Sequence, residues 1–150
     1  MFTSKSSGRL EFLTEDDWTL INAKAQRLSF GLGQEIIRPG SAPSAIYIIR
    51  SGAVSVQLIG TKDRVTVAVL GADEVCGDMG FLEHGMGTVS VIASDERVEV
   101  DAIQATDLRQ VCETFSGLGV RFYCSLAVVL ARRLRRTTRA LAREMNKPGL

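Results

Sequence analysis

The residues best placed to do chemistry lie between Gly71 and Ala93, in the run GADEVCGDMGFLEHGMGTVSVIA, where five glycines fall by Gly87 and an apolar, β-branched segment follows. Here the chemistry would come from the backbone. If Gly77-Asp78-Met79-Gly80-Phe81-Leu82 opens a short helical turn, its unpaired N–H groups converge on one point and favour an anion, and the glycines let a phosphate approach closely. Catalysis has no comparable support, and an enzyme is not expected. The only histidine, His84, sits in a polar, glycine-rich loop without a nucleophile at a recognisable spacing, and no second histidine exists to build a metal cluster. Asp16, Asp17, Asp73 and Glu74 read as helix caps and turn residues rather than as a paired acid and base.

The elements that must position this stretch follow from length and pattern. A chain of 150 residues with 45% hydrophobic content suits one compact domain over 1–150. Thr14-Glu15-Asp16-Asp17 supplies a hydroxyl cap and carboxylates for the positive end of a helix, and Trp18, Leu20, Ile21, Ala25 and Leu28 continue it on a roughly helical period, so a helix is expected from Glu15 to Arg27. Short strand-like segments then alternate with turn chemistry at Pro39-Gly40, Ser51-Gly52, Gly60-Thr61-Lys62-Asp63 and Ser94-Asp95-Glu96. This spacing indicates an antiparallel roll over about 28–103 rather than a βαβ fold.

Helical periodicity returns over about 106–146, with Thr106 or Asp107 as a cap and a second start near Ser116. The fold class is therefore α+β, an antiparallel β-roll (jelly roll) flanked by an N-terminal helix and a long C-terminal helix. Tyr123, Ala127, Leu130, Leu134, Thr137, Leu141 and Met145 keep one narrow stripe on the long helix, suited either to a partner helix or to the chain's own core. Val128 and Val129 broaden the apolar surface at its upper end, where it is expected to pack on the roll.

Charge is unevenly spread. Residues 121–150 carry eight Lys or Arg against Glu144 alone, a local +7 on a body of about −6. Such a segment could meet nucleic acid, an acidic membrane surface or an acidic partner, but the solvated face of a long helix is the simpler account. Cys76, Cys112 and Cys124 show neither an even count nor a C-x-x-C spacing, so buried, reduced thiols are expected. No apolar run approaches the roughly 18 residues of a membrane span, and Met1 to Arg9 lacks a secretory apolar segment, so a cytoplasmic location without a membrane partner is expected.

Gly33, Gly40, Gly52, Gly71 and Gly77, with IYIIRSGAV between them, resemble the β-roll of the cyclic nucleotide-binding domain family, and the resemblance runs from about Leu13 to Met145. In that family a glutamate after the cassette glycine grips the ribose hydroxyl, and an arginine near the cassette's end, followed by a small hydroxyl residue, pairs with the cyclic phosphate. Here the resemblance puts Asp78 at the first position, Gly87 at the second and Thr88 after it, in a cassette about one residue short. Asp78 can still accept a hydroxyl hydrogen bond, whereas Gly87 has no side chain for the phosphate. Loss of such a charge-assisted bond costs about 1.5–3 kcal/mol, roughly one to two decades of affinity. Arg133 is the compensating cation that the resemblance suggests.

Ala131-Arg132-Arg133-Leu134-Arg135-Arg136-Thr137-Thr138 is similar to the matching helix of the family's bacterial catabolite activator proteins. That similarity implies that Thr137 and Thr138 meet the purine, one of them across a dimer, and that Arg133 pairs with Asp78. After Met145 no helix-turn-helix module fits in the residues present, so direct sequence-specific DNA binding is not expected.

The resemblance thus implies a small bacterial regulatory sensor. Its site residues would be Gly77, Asp78, Met79, Gly80, Thr88, Arg133, Thr137 and Thr138. Its ligand would be cyclic AMP, cyclic GMP or cyclic di-GMP, with no bound cofactor or metal. Its signal would be movement of the C-terminal helix, and its partners a second copy along that helix and a downstream regulatory protein. The alternative is a degenerate domain that binds no nucleotide and serves as a dimerisation or interaction module.

Overall fold

The computed structural model describes residues 8–41, 45–59, 62–83 and 89–148. Thr14 starts helix α1 (Glu15–Asn22) through a reciprocal capping box: Asp17 N donates to Thr14 Oγ1 at 3.1 Å, and Thr14 N donates to Asp17 Oδ2 at 3.0 Å. The helix stops at Asn22, short of the expected Arg27. Gln26–Gly31 instead forms strand β1, and its backbone groups pair along residues Arg97 to Ala102 of the chain's last strand.

The remaining strands among the described residues are β2 (Glu35–Ile37), β3 (Ala45–Ser51), β4 (Val54–Ile59), β5 (Arg64–Leu70), β6 (Val75–Cys76), β7 (Val89–Ala93) and β8 (Arg97–Gln104). They form two sheets, ordered β1-β8-β3-β6 and β2-β7-β4-β5, and every pairing is antiparallel, as the expected roll requires. Strand β3 is apolar on both faces, and its period of two explains why. Tyr47 and Ile49 join Val54, Leu70, Val91 and Val100 between the sheets, while Ile46 and Ile48 join the helices on the outer face.

Helix α2 (Asp78–Glu83) sits in the glycine-rich stretch, and α3 (Ala105–Thr114) follows β8 directly, with neither Thr106 nor Asp107 as its cap. Helix α4 (Ser116–Met145) begins where expected and buries Leu118, Phe122, Leu126 and Val129 against the roll. These residues lie beside the stripe read from the sequence. Tyr123, Leu134, Leu141 and Met145 are exposed, so the stripe as a whole is not the chain's own core. Cys76 and Cys112 are buried as expected, but Cys124 is exposed. Among the described residues no helix is long and apolar enough to cross a membrane.

Candidate nucleotide site

The site is built around the end of β6. Gly77 has φ 84°, in the left-handed region, and a Cβ there would stand 2.9 Å from the Ala45 carbonyl oxygen, so a side chain is barred on two counts. That turn launches α2, with Asp78 at its first residue, as the sequence reading anticipated. Phe81 anchors the short helix from beneath. Its ring meets Phe122 edge-on at 5.8 Å and stacks on Tyr123 at 6.3 Å, while the Arg109 guanidinium lies 4.8 Å from its centroid and donates to its carbonyl at 3.0 Å. The cassette is thereby fixed to α3 and α4.

Asp78 is buried and meets Arg133 of α4, whose Nη1 lies 3.2 Å from each carboxylate oxygen. Arg133 Nη2 donates to the Val75 carbonyl oxygen as well. One guanidinium therefore clasps both the cassette and the strand that leads into it. Beside it, Cys76 is neutral: burial, reinforced by the Asp78 carboxylate, pushes its thiol up to about 12.

A second set of contacts holds the same junction. The Gly8 carbonyl accepts from Val75 N at 2.9 Å, Arg9 lies 3.8 Å from Asp73, Glu11 lies 3.0 Å from Arg132, and Phe12 N donates to the buried Ser125 Oγ at 3.0 Å. Residues 8–12 thus strap the cassette strand to α4. A Cβ on Gly8 would come within 2.8 Å of Arg133 Nη2 and 2.7 Å of Glu74 Oε1. Glu74, buried, accepts from Gly71 N at 2.7 Å and closes the turn before β6.

Between the cassette, the inner faces of the sheets and α4 lies a cavity of about 450 Å³, within the roughly 300–1,000 Å³ usual for small-molecule sites. Ile37, Tyr47 and Val56 supply apolar wall, Gly77 to Gly80 one rim, and Arg133, Arg136 and Thr137 the helix side. Six of the eight anticipated residues, Gly77, Asp78, Met79, Gly80, Arg133 and Thr137, therefore line one cavity. Thr138 is exposed and does not line it. Thr88, like Gly87 and His84, lies outside the described residues.

Sequence reasoning missed Arg136, Tyr47 and the strap. Arg136 had a legible signal, its spacing of three from Arg133, whereas the strap's contacts join residues more than sixty positions apart and leave no local mark. Among the described residues no group of three or more His, Cys, Asp or Glu is arranged to hold a metal ion.

Residues 27–115, the roll with the cassette and α3, match the cyclic nucleotide-binding domain family. This chain belongs to that family. Cyclic GMP-binding protein C of Dictyostelium discoideum is 30% identical over 127 residues, 82% of this cyclic nucleotide-binding domain chain and 5% of that protein. The cyclic AMP receptor protein of Thermus thermophilus is 29% identical over 133 residues, 87% of this chain and 59% of that protein. The chain thus spans less than two thirds of either curated relative. The c-di-GMP responsive global regulator CLP of Xanthomonas campestris shares the fold, with a TM-score of 0.81 at 23% identity over 90% of this chain and 66% of its own. The family match ends before α4, so it covers Gly77 to Gly80 but not Arg133, Thr137 or Thr138.

Proposed function

We propose that this chain is a non-enzymatic regulatory sensor that binds a cyclic nucleotide between the cassette and helix α4 and signals by movement of that helix. The observation that carries the reading is the cavity's construction: α4 supplies Arg133, Arg136 and Thr137 to a wall whose other side is the cassette. A ligand that touches both sides favours the helix position in which both are in reach, which is a population shift set by differential contact. In this reading Asp78 accepts from the ribose hydroxyls, Gly77 and Gly80 keep the rim low, Met79 covers it, and Thr137 reads the base, with Thr88 beside the phosphate. The names of the relatives span cyclic GMP, cyclic AMP and c-di-GMP, and all three are candidate ligands here.

A homodimer through α4 belongs to the same proposal. Its support is the exposure of Leu134, Leu141 and Met145 along one stripe, and a downstream regulatory protein would read the helix's position. The exposed stripe also suits the second reading, an interaction module that binds no nucleotide. Isothermal titration of the purified chain with cyclic AMP, cyclic GMP and cyclic di-GMP separates the two. Saturable binding of one of them, with a raised melting temperature, is expected, and no heat with any of the three sinks the sensor reading in favour of the module.

A further inference from the structure

Ahead of α1 the chain lies across the junction of β6 and α4, and it touches the helix at two points about two turns apart. Phe12 N donates to Ser125 Oγ at 3.0 Å, and Ser125 is buried in the root. Glu11 reaches Arg132 at 3.0 Å, on the stretch of helix whose apolar side chains face outward. Leu10 is buried in the core that the root covers, and the Gly8 carbonyl accepts from Val75 N at 2.9 Å. The segment is therefore anchored to the body at Leu10, Ser125 and Val75, and from that anchorage Glu11 holds a point beyond Val129. Gly8 adds a second hold. Arg133 has the Asp78 carboxylate and the Val75 carbonyl oxygen as acceptors, and the Gly8 backbone lies against its guanidinium, where a Cβ would stand 2.8 Å from Nη2. Only glycine brings the backbone this close without crowding the arginine. Neither Gly8 nor Glu11 lines the cavity.

We propose that residues 8–12 are a latch on the outer half of α4. Glu11 ties that half to the body through Arg132, and Gly8 backs Arg133 so that it stays on Asp78. In the sensor reading above, on which this rests, the latch sets how often the helix lifts from the cassette without ligand, and so the resting level of the signal. It tunes the position of the helix without touching the ligand, which makes it a control separate from the binding residues.

Amide exchange reads the lift. Off the body, the stretch beyond Val129 is marginal as a helix, since it carries two adjacent threonines and arginines at i,i+4 spacings such as Arg132 with Arg136 and Arg135 with Arg139. Its amides then exchange faster. Hydrogen–deuterium exchange is compared in ligand-free wild type, Glu11→Gln, Gly8→Ala and Arg9→Gln, in the full chain at a concentration low enough to keep it monomeric. Glu11→Gln is expected to speed exchange across 130–136 about two- to fivefold, the scale of one partly exposed ion pair, and to leave 118–129 as in wild type. Gly8→Ala should speed the same stretch, because its methyl crowds Arg133 Nη2 and Glu74 Oε1. Arg9→Gln should match wild type, since Arg9 meets Asp73 and not the helix. No change in Glu11→Gln or Gly8→Ala, an equal rise across the root, or an equal rise in Arg9→Gln overturns the latch. A saturating cyclic nucleotide should slow 130–136 of Glu11→Gln back toward wild type; one that binds and leaves it fast overturns the link to signalling. A wild type that binds no cyclic nucleotide sinks the sensor reading alone, because the ligand-free comparison still decides the latch.

Discussion

The two halves of α4 are held by different physics. From Leu118 to Val129 the helix buries Leu118, Phe122, Leu126 and Val129, and its root is tied to α1 by Arg121, whose Nε and Nη2 reach the two oxygens of Asp17 at 2.6 and 2.8 Å. That is a two-nitrogen fork on a carboxylate. Beyond Val129 the apolar side chains turn outward, with Leu134 68% exposed, and the contacts to the body are polar: Glu11 with Arg132, and Asp78 with Arg133 through a single nitrogen at 3.2 Å. The difference teaches where motion has room. Pulling the root away exposes a packed core, whereas lifting the outer half opens the partly exposed Glu11–Arg132 pair at little cost and the Arg133 clasp on the buried Asp78 at a larger one, so the part of the helix that reaches the cavity is held by a few polar clasps rather than by core.

The comparison breaks most directly through the core. Phe122, 1% exposed, is expected to cost about 3–5 kcal/mol on truncation to alanine, the usual range for a buried aromatic ring. Leu134→Glu on the outer half should leave the unfolding free energy of the isolated chain within about 0.5 kcal/mol. Urea denaturation at low protein concentration reads both. The same Leu134→Glu chain, followed by light scattering at high concentration, should shift from dimer toward monomer if the proposed seam forms; a wild type that stays monomeric throughout removes that proposal. Equal destabilisation by the two substitutions would erase the distinction between root and outer half.

The root clasp also predicts a response to pH. Hydrogen bonds from Arg121 hold the Asp17 carboxyl well below its ordinary value of 3.8, against the opposing effect of burial. A carboxyl whose folded pKa is depressed contributes stability that is fully present above its unfolded value and is lost as pH falls through and below it. Wild type should therefore lose stability on acidification from about pH 5, and Asp17→Asn should show a shallower acid slope. At neutral pH the substitution is expected to cost about 2 kcal/mol, less than the 3–5 of a fully buried pair because the Arg121 side chain is 40% exposed. Parallel acid slopes in the two proteins would show that the fork does not titrate with unfolding.

The same contrast explains what could be read in advance. Strands β2, β3, β5 and β7 announced themselves through β-branched runs between glycine turns, and Gly77 through a cassette that no other residue fits. Strand β1 did not, because Gln26–Gly31 carries few β-formers and is a strand only by virtue of its ladder with β8. On α4 the stripe with the more regular spacing proved to be the outward one. The buried face, which passes through Ser125 and ends at Arg133, is interrupted by polar groups whose partners are supplied by tertiary structure. Asp17 was legible as a cap from its neighbours at positions 14 to 16, but its second partner, Arg121, lies 104 residues away and no local pattern points to it. Short-range chemistry was readable; the clasps that join distant segments were not.

The smallest expected effect bears on the outer half alone and sharpens its role. Thr137 and Thr138 are both exposed, but of the two only Thr137 lines the cavity. Removal of a hydroxyl that bonds a ligand costs about 0.5–1.5 kcal/mol, so Thr137→Ala should weaken purine nucleotide binding by up to about tenfold and reduce the preference between adenine and guanine. Thr138→Ala should change nothing when titrated at concentrations where the chain is monomeric. A loss that appears for Thr138→Ala only when the chain is concentrated enough to pair would mean that a second copy carries this threonine to the ligand, and the binding site would then span the seam. Losses that are equal and independent of concentration would contradict the one-sided lining of the cavity and place both hydroxyls on the ligand within one chain. If neither substitution alters binding, α4 contributes charge through its arginines but does not read the base.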